Sequence, residues 1–144
     1  DERYCLHIAG QYQDPRTLQY IRYFLKEHGL EDSYYFYGWA DESLKLRFFK
    51  IIDYMVISSI DEGLCFAAAE AMASGIKPVL HNCEGIKDHY DKKYIFSTID
   101  EAVEMVMSDE YDSIEYRKFI EANYSLKREI AQVKKVIESL LEKV

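Results

Sequence analysis

Residues 58–79 read SSIDEGLCFAAAEAMASGIKPV and decide the fold. The apolar run YMVI at residues 54–57 comes directly before them and predicts a β-strand. The polar, glycine-containing residues 58–63 predict a turn, AAAEAMAS predicts a helix that stops at Gly75, and PVLH at residues 78–81 predicts the next strand. A strand, a helix and a strand in this order indicate a parallel unit whose helix start faces the ligand-binding edge of the sheet.

The rest of the chain repeats the alternation of short apolar runs with longer amphipathic segments. Further strands are predicted at residues 6–9, 34–37 and 94–96. Helices are predicted from Asp14-Pro15 to Gly29, after the capping residue Asp41, from the capping box Thr98-x-x-Glu101, over residues 114–121 and from Ser125 onward. The expected fold is therefore α/β, a doubly wound parallel sheet of about five strands with helices on both faces.

Composition restricts the function classes. The chain has 144 residues and shows no linker or repeat, so we expect one domain over residues 1–144. Its 26 acidic and 18 basic residues give a net charge of −8, which argues against nucleic acid as a partner. The apolar runs are too short for a transmembrane segment. Three cysteines without a C-x-x-C pair favour a cytoplasmic location.

Two glutamates, Glu62 and Glu70, flank the predicted start of the alanine-rich helix. Carboxylates only accept hydrogen bonds, so such a pair can bind the vicinal hydroxyls of a sugar. The spacing alone is weak evidence, because Glu121 and Glu129 are also eight residues apart and are interpreted as solvated surface. Without further context, the pair is better interpreted as an ordinary loop carboxylate, Glu62, and an ordinary helix-surface carboxylate, Glu70.

The wider pattern resembles the group-1 family of retaining GT-B glycosyltransferases. The resemblance rests on Gly38, Ser58, Glu62-Gly63, Glu70-Ala71-Met72-Ala73, Gly75 and Pro78-Val79. Residues 6–39 and 42–59 are similar to the strands and helices that precede this core, and FIEANYSLKREI is similar to the family's tail. The resemblance covers nearly the whole chain and implies a Rossmann-like, nucleotide-sugar-binding C-terminal lobe.

The resemblance also implies roles for individual residues. Glu62 matches the glutamate that contacts the donor sugar and stabilises charge at the reacting centre, and Glu70 matches the one that binds the ribose hydroxyls. Donor contacts, largely through backbone N–H groups, are implied for the loop residues Ser58, Gly63, Leu64, Cys65 and Phe66. Gly38 and Trp39 match the nucleobase position, although packing is the alternative interpretation of Trp39.

The sequence departs from the family pattern at its start. We expect this chain to be without the family's first strand-helix unit, which carries a diphosphate-binding Arg and Lys, and without the N-terminal domain that binds the acceptor. Asp88 stands where many members have Glu. We therefore expect an isolated chain that is inactive by itself. Its parent would transfer a sugar from a nucleoside-diphosphate donor to a glycan or lipid-linked acceptor, in the cytoplasm or peripherally at the inner membrane face.

The sequence gives weaker evidence for a metal site or a nucleophilic cysteine. His81, Cys83 and His89 provide too few ligands for a convincing metal site, and no D-x-D is present, so we expect a metal-independent protein without a cofactor. No base accompanies Cys65, which disfavours a nucleophilic cysteine. The alternative function is a non-catalytic, receiver-like signalling or interaction module. It is disfavoured because Ala9-Gly10 and Ser58-Ser59 stand where a receiver needs acidic residues.

Overall fold

Strands and helices alternate along residues 4–12 and 14–141, which the computed structural model describes. The five strands are β1 (Leu6–Ile8), β2 (Tyr34–Phe36), β3 (Tyr54–Ile57), β4 (Lys77–His81) and β5 (Ile95–Phe96). The α-helices are α1 (Pro15–Glu27), α2 (Glu42–Phe48), α3 (Phe66–Ala73), α4 (Ile86–His89), α5 (Ile99–Met107), α6 (Ser113–Tyr124) and α7 (Leu126–Leu141). Short 3₁₀ helices span Glu31–Ser33 and Lys92–Tyr94, and the chain divides into two compact units, Asp1–Ile52 and Asp53–Val144.

In the first unit, β1 and β2 pair in parallel, with Leu6 opposite Tyr34. Helix α1 has the predicted ends. Asp14 caps it by accepting a hydrogen bond from the Arg16 N–H at 2.9 Å. Gly29, at φ 62°, ends it in a Schellman arrangement, in which the Leu30 N–H donates to the Leu25 carbonyl at 2.9 Å. Both ends are set by local sequence, so they were predictable.

In the second unit, the strand order is β3-β4-β5 and both pairings are parallel. The central strand β4 is buried along Lys77–Leu80, because a strand lies on each side of it and α3 and α5 pack against it. Helices are predicted on both faces of the sheet, yet Val56 of β3 is 50% exposed. β3 is an edge strand of its own sheet, with β4 as its described partner. The observed parallel α/β architecture confirms the predicted fold class.

The hydrophobic core of the second unit joins α3, β4, α4 and α6. Its buried members are Cys65, Ala68, Met72, Leu80, Cys83, Ile86, Tyr90, Tyr94 and Tyr116. Lys77 is the buried charge among the described residues, and its ammonium group donates to the carbonyls of Met105 and Glu110 and to the Ser108 hydroxyl. These three acceptors offset part of its desolvation, although burial still lowers the pKa of Lys77. This core holds the loop between β3 and α3 on a rigid base.

The predicted capping box of α5 is confirmed, with the Glu101 N–H donating to the Thr98 hydroxyl at 3.2 Å and the Thr98 N–H donating to the Glu101 carboxylate. The sequence analysis did not predict α4, a single turn whose Ile86 is fully buried. Such a short segment carries too few residues to show a helical period. Helix α7 begins next to Ser125, as predicted, and every described residue along it is exposed.

Candidate functional site

The loop over residues 58–65 leaves the carboxyl end of β3 and leads into α3, which places it at the sheet edge where ligands bind in parallel α/β folds. Glu62 is half-buried in this loop. The Ser59 hydroxyl donates a hydrogen bond to its Oε1 at 2.8 Å. A carboxylate has about four acceptor positions, so this bond orients Glu62 and leaves the others for ligand hydroxyls.

The next strand also holds the loop. Ile57 and Leu80 are partners in the β3–β4 register, so the residues that follow them emerge side by side. His81 Nδ1 lies 2.9 Å from the Ser59 carbonyl oxygen. Because a carbonyl oxygen only accepts, Nδ1 carries the proton in this bond. His81 therefore holds the backbone of Ser59, and the Ser59 side chain in turn orients Glu62.

Gly85 brings a second loop against the first. Its φ is +90°, and a Cβ placed there would overlap the carbonyl oxygen of Glu62 and lie 2.9 Å from the carbonyl carbon. Asp61 and Glu84 form a parallel backbone bridge beside this contact. Only glycine permits such a close approach of the two backbones. The main chain at Glu62 is thus held independently of its side chain.

The start of α3 has an unusual backbone. Cys65, its N-cap residue, has φ 53° and is the one non-glycine residue with positive φ in the described ranges. Tyr90 is the C-cap residue of α4. Its hydroxyl donates to the carbonyls of Leu64 at 2.8 Å and Cys65 at 3.2 Å and so stabilises this turn. Burial, and then the nearby Glu62 carboxylate, raise the pKa of the Cys65 thiol. A protonated, buried thiol favours a packing role over a nucleophilic one.

Glu70 lies about one turn, ~6 Å, along α3 from Phe66. Both are exposed, and both line a cavity of about 190 Å³ beside α6 and the start of α7. Its remaining walls are Leu64, Ala69, Ala73, Ile120, Tyr124 and Glu129. Typical ligand pockets measure about 300–1,000 Å³, so this cavity has room for only part of a nucleotide.

In the first unit, Gly38 follows β2 with φ +70°. Its carbonyl accepts a hydrogen bond from the Gly10 N–H at 2.7 Å, so the carboxyl ends of β1 and β2 meet there. Trp39 is 71% exposed. Packing within the described chain therefore does not account for Trp39, and its indole face can stack on a ligand ring.

The two histidines considered as metal ligands have other contacts. His81 binds Ser59, and His89 Nδ1 lies 3.2 Å from the Tyr124 hydroxyl, which itself donates to the His89 carbonyl. Across residues 4–12 and 14–141, no three His, Cys, Asp or Glu side chains form a group that could bind a metal ion. Among those same residues, no helix has the length and apolarity needed to cross a bilayer.

The structure thus brings together most of the predicted site residues. Ser58, Glu62, Gly63, Leu64, Cys65, Phe66 and Glu70 form one continuous loop and helix, whereas Gly38 and Trp39 belong to the first unit. The sequence patterns did not predict that Ser59, Gly85 and Tyr90 support this loop. The strand ending in Ser-Ser was a signal for Ser59, but no local pattern indicates which distant residues contact a loop.

Comparisons with known proteins show the family by sequence and the fold by structure. The model of the family described as glycosyl transferases group 1 matches residues 1–126. The structure is similar to HepE from Anabaena in complex with UDP-glucose, with a TM-score of 0.76 and 13% identity over 94% of this chain. It is also similar to sucrose-phosphate synthase from Thermosynechococcus elongatus, with a TM-score of 0.72 and 17% identity over 97% of this chain. The chain spans 41% and 39% of these two proteins, and no curated protein is significantly similar to it in sequence.

Proposed function

Because the chain belongs to the family of group 1 glycosyl transferases, we propose that it is the nucleotide-sugar-binding portion of a retaining glycosyltransferase. The observation that carries the proposal is the placement of Glu62 and Glu70. Both lie on one segment, formed by a loop and α3, at the carboxyl end of β3. His81 of β4 and Tyr90, which follows α4, donate hydrogen bonds to the backbone of this segment. Such a segment can hold a ligand with hydroxyls at both ends and a diphosphate between them.

Each residue has a distinct role in this proposal. Glu62 accepts hydrogen bonds from hydroxyls of the donor sugar and stabilises positive charge near the anomeric carbon. Glu70 accepts from the two ribose hydroxyls. Backbone N–H groups at the start of α3, from Gly63 to Phe66, face the diphosphate, because helix N-termini carry partial positive charge. Ser58 lies at the start of the same loop and contributes to the donor contacts.

Gly38 and Trp39 are proposed to contact the nucleobase. The exposure of the Trp39 indole supports this role, since an exposed aromatic face offers a stacking surface for any base.

The acceptor and the transfer step are proposed to need residues outside this chain. The chain spans about two fifths of the similar solved structures, which supports this division. In the full reaction, the bond from the anomeric carbon to the diphosphate breaks, and the nucleoside diphosphate leaves with the electron pair of that bond. A bond from the anomeric carbon to the acceptor oxygen forms with the anomeric configuration kept, and the hydroxyl proton is released with the nucleoside diphosphate. We propose that the chain alone binds the donor in the cytoplasm, without a metal ion, and does not transfer the sugar.

The proposal is tested by saturation-transfer NMR with UDP-glucose, GDP-mannose and ADP-glucose. We expect one of the three to bind the wild-type chain, and Glu70→Ala to lose most of that signal. Glu121→Ala is the matched control, because Glu121 is also an exposed helical glutamate with a partner eight residues away. Absence of binding by all three donors at millimolar concentration, in a folded chain, would refute the proposal and favour a non-catalytic module. Equal losses in both variants would contradict the role of Glu70.

A further inference from the structure

The Glu62 carboxylate is contacted by Ser59, and Ser59 is contacted by His81, neither of which is among the sequence-predicted site residues. Ser59 donates its hydroxyl to the Glu62 carboxylate at 2.8 Å, and both side chains are half-buried. A freely rotating glutamate in a loop would lose side-chain entropy on meeting a sugar. The Ser59 bond removes part of that cost in advance, because one carboxylate oxygen is already fixed.

The serine is itself positioned from the neighbouring strand. His81 at the end of β4 donates from Nδ1 to the Ser59 carbonyl at 2.9 Å, across 22 residues of sequence. The imidazole also packs against Phe96 of β5, with ring centroids 5.5 Å apart. His81 therefore connects the loop to both other strands of the sheet, and the chain of contacts runs from β5 through β4 to Ser59 and Glu62.

The backbone of the same loop is held by a separate contact. Gly85 packs against the carbonyl group of Glu62, so the backbone position of Glu62 is determined without Ser59. Removing the Ser59 hydroxyl should therefore free the Glu62 carboxylate without moving its backbone. This separation makes the effect of Ser59 specific to the end of the ligand that Glu62 contacts.

We infer that Ser59 and His81 are positioning residues that aim the Glu62 carboxylate at the donor sugar, an inference that rests on the proposed function. They do not contact the reacting atoms in this scheme. Their effect should appear as a preference for the sugar-bearing donor over the free nucleotide, because Glu62 contacts the sugar and the nucleotide is bound by other residues.

The experiment measures dissociation constants by isothermal titration calorimetry for matched pairs: UDP-glucose with UDP, GDP-mannose with GDP, and ADP-glucose with ADP. The pair that binds the wild-type chain is then used for the variants. In Ser59→Ala we expect sugar-nucleotide affinity to fall about two- to tenfold, the size that corresponds to ordering one flexible side chain on binding. Affinity for the free nucleotide should change less than twofold. Ser59→Thr keeps the hydroxyl and should restore most of the preference.

Two further variants test the histidine. His81→Asn places an amide N–H near the position of Nδ1 and should keep the preference, whereas His81→Leu should reduce it as Ser59→Ala does. Ser139→Ala, which removes a hydroxyl from α7, is the control and should change neither affinity. Circular dichroism establishes that each variant is folded.

The outcomes separate the inference from the proposed function. If the wild-type chain binds no member of any pair, the proposed function fails and the inference with it. If the wild-type chain binds but shows no preference for the sugar nucleotide, or if Ser59→Ala weakens both ligands equally or neither, the positioning role is overturned while donor-site binding stands.

Discussion

Replacing Gly85 by alanine should destabilise the second unit more than any comparable glycine substitution in it. The change forces a side chain into φ +90° and drives its Cβ into the Glu62 carbonyl. The backbone strain costs about 1–3 kcal/mol. Relieving the overlap requires the two loops to separate, which adds about 1–3 kcal/mol. We therefore expect Gly85→Ala to lower the free energy of unfolding by about 2–6 kcal/mol.

Gly75 and Gly63 provide matched controls for this prediction. Gly75 has a similar φ of +87°, but the atoms nearest to a Cβ there belong to the side chain of Arg117, which can move aside. Gly75→Ala therefore measures the strain without the backbone overlap. A Cβ on Gly63 meets nothing within 4 Å, and its φ lies outside the positive range, so Gly63→Ala should be nearly neutral.

The assay is urea-induced unfolding followed by circular dichroism at 222 nm, which reports mainly on the second unit because it holds α3 to α7. The expected order of destabilisation is Gly85→Ala, then Gly75→Ala, then Gly63→Ala. An excess of about 1–3 kcal/mol for Gly85→Ala over Gly75→Ala measures the close approach of the loops. Equal losses for these two variants would refute the argument that Gly85 holds the Glu62 peptide.

Three other predictions follow from burial, pKa and capping. A thiol reagent at pH 8 should label the exposed Cys5 rapidly and the buried Cys65 and Cys83 only after unfolding, so three fast thiols would contradict the core assignment. Burial raises the pKa of Tyr94 from 10.0 to about 12, so the folded chain keeps a proton that the unfolded chain releases. Stability should then fall as pH rises from 10 to 12, and Tyr94→Phe should flatten that fall in urea titrations at each pH. Thr98→Ala should cost about 1 kcal/mol by removing the α5 cap, and an unchanged urea midpoint would contradict this.

Local chemistry made much of the fold predictable. Asp14 and Thr98 cap helices because their side-chain oxygens accept bonds from backbone N–H groups two or three residues away. Gly29 ends α1 because the chain needs a left-handed residue there. Helix α4 was missed because its single turn is stabilised by the burial of Ile86, a tertiary contact with no sequence period.

The candidate site was predictable in part for the same reason. The glycine-containing turn and the alanine-rich helix locate Glu62 and Glu70 on one segment, since residues eight apart cannot separate far. The contacts that orient them come from residues remote in sequence. The distance from Ser59 to His81 along the chain is 22 residues, and the β3–β4 register alone brings them together.

The stretch from Tyr54 to His81 by itself determined a strand-turn-helix-strand order and the position of two carboxylates. Those features follow from turn propensity, helix propensity and hydrophobic period, which act over a few residues. Only the tertiary structure decided how Glu62 is held, through Ser59, His81 and Gly85, and why Cys65 adopts a left-handed backbone. Such contacts depend on the β3–β4 register and on two backbones packed too closely for a Cβ at Gly85. No short stretch of the sequence determines either of them.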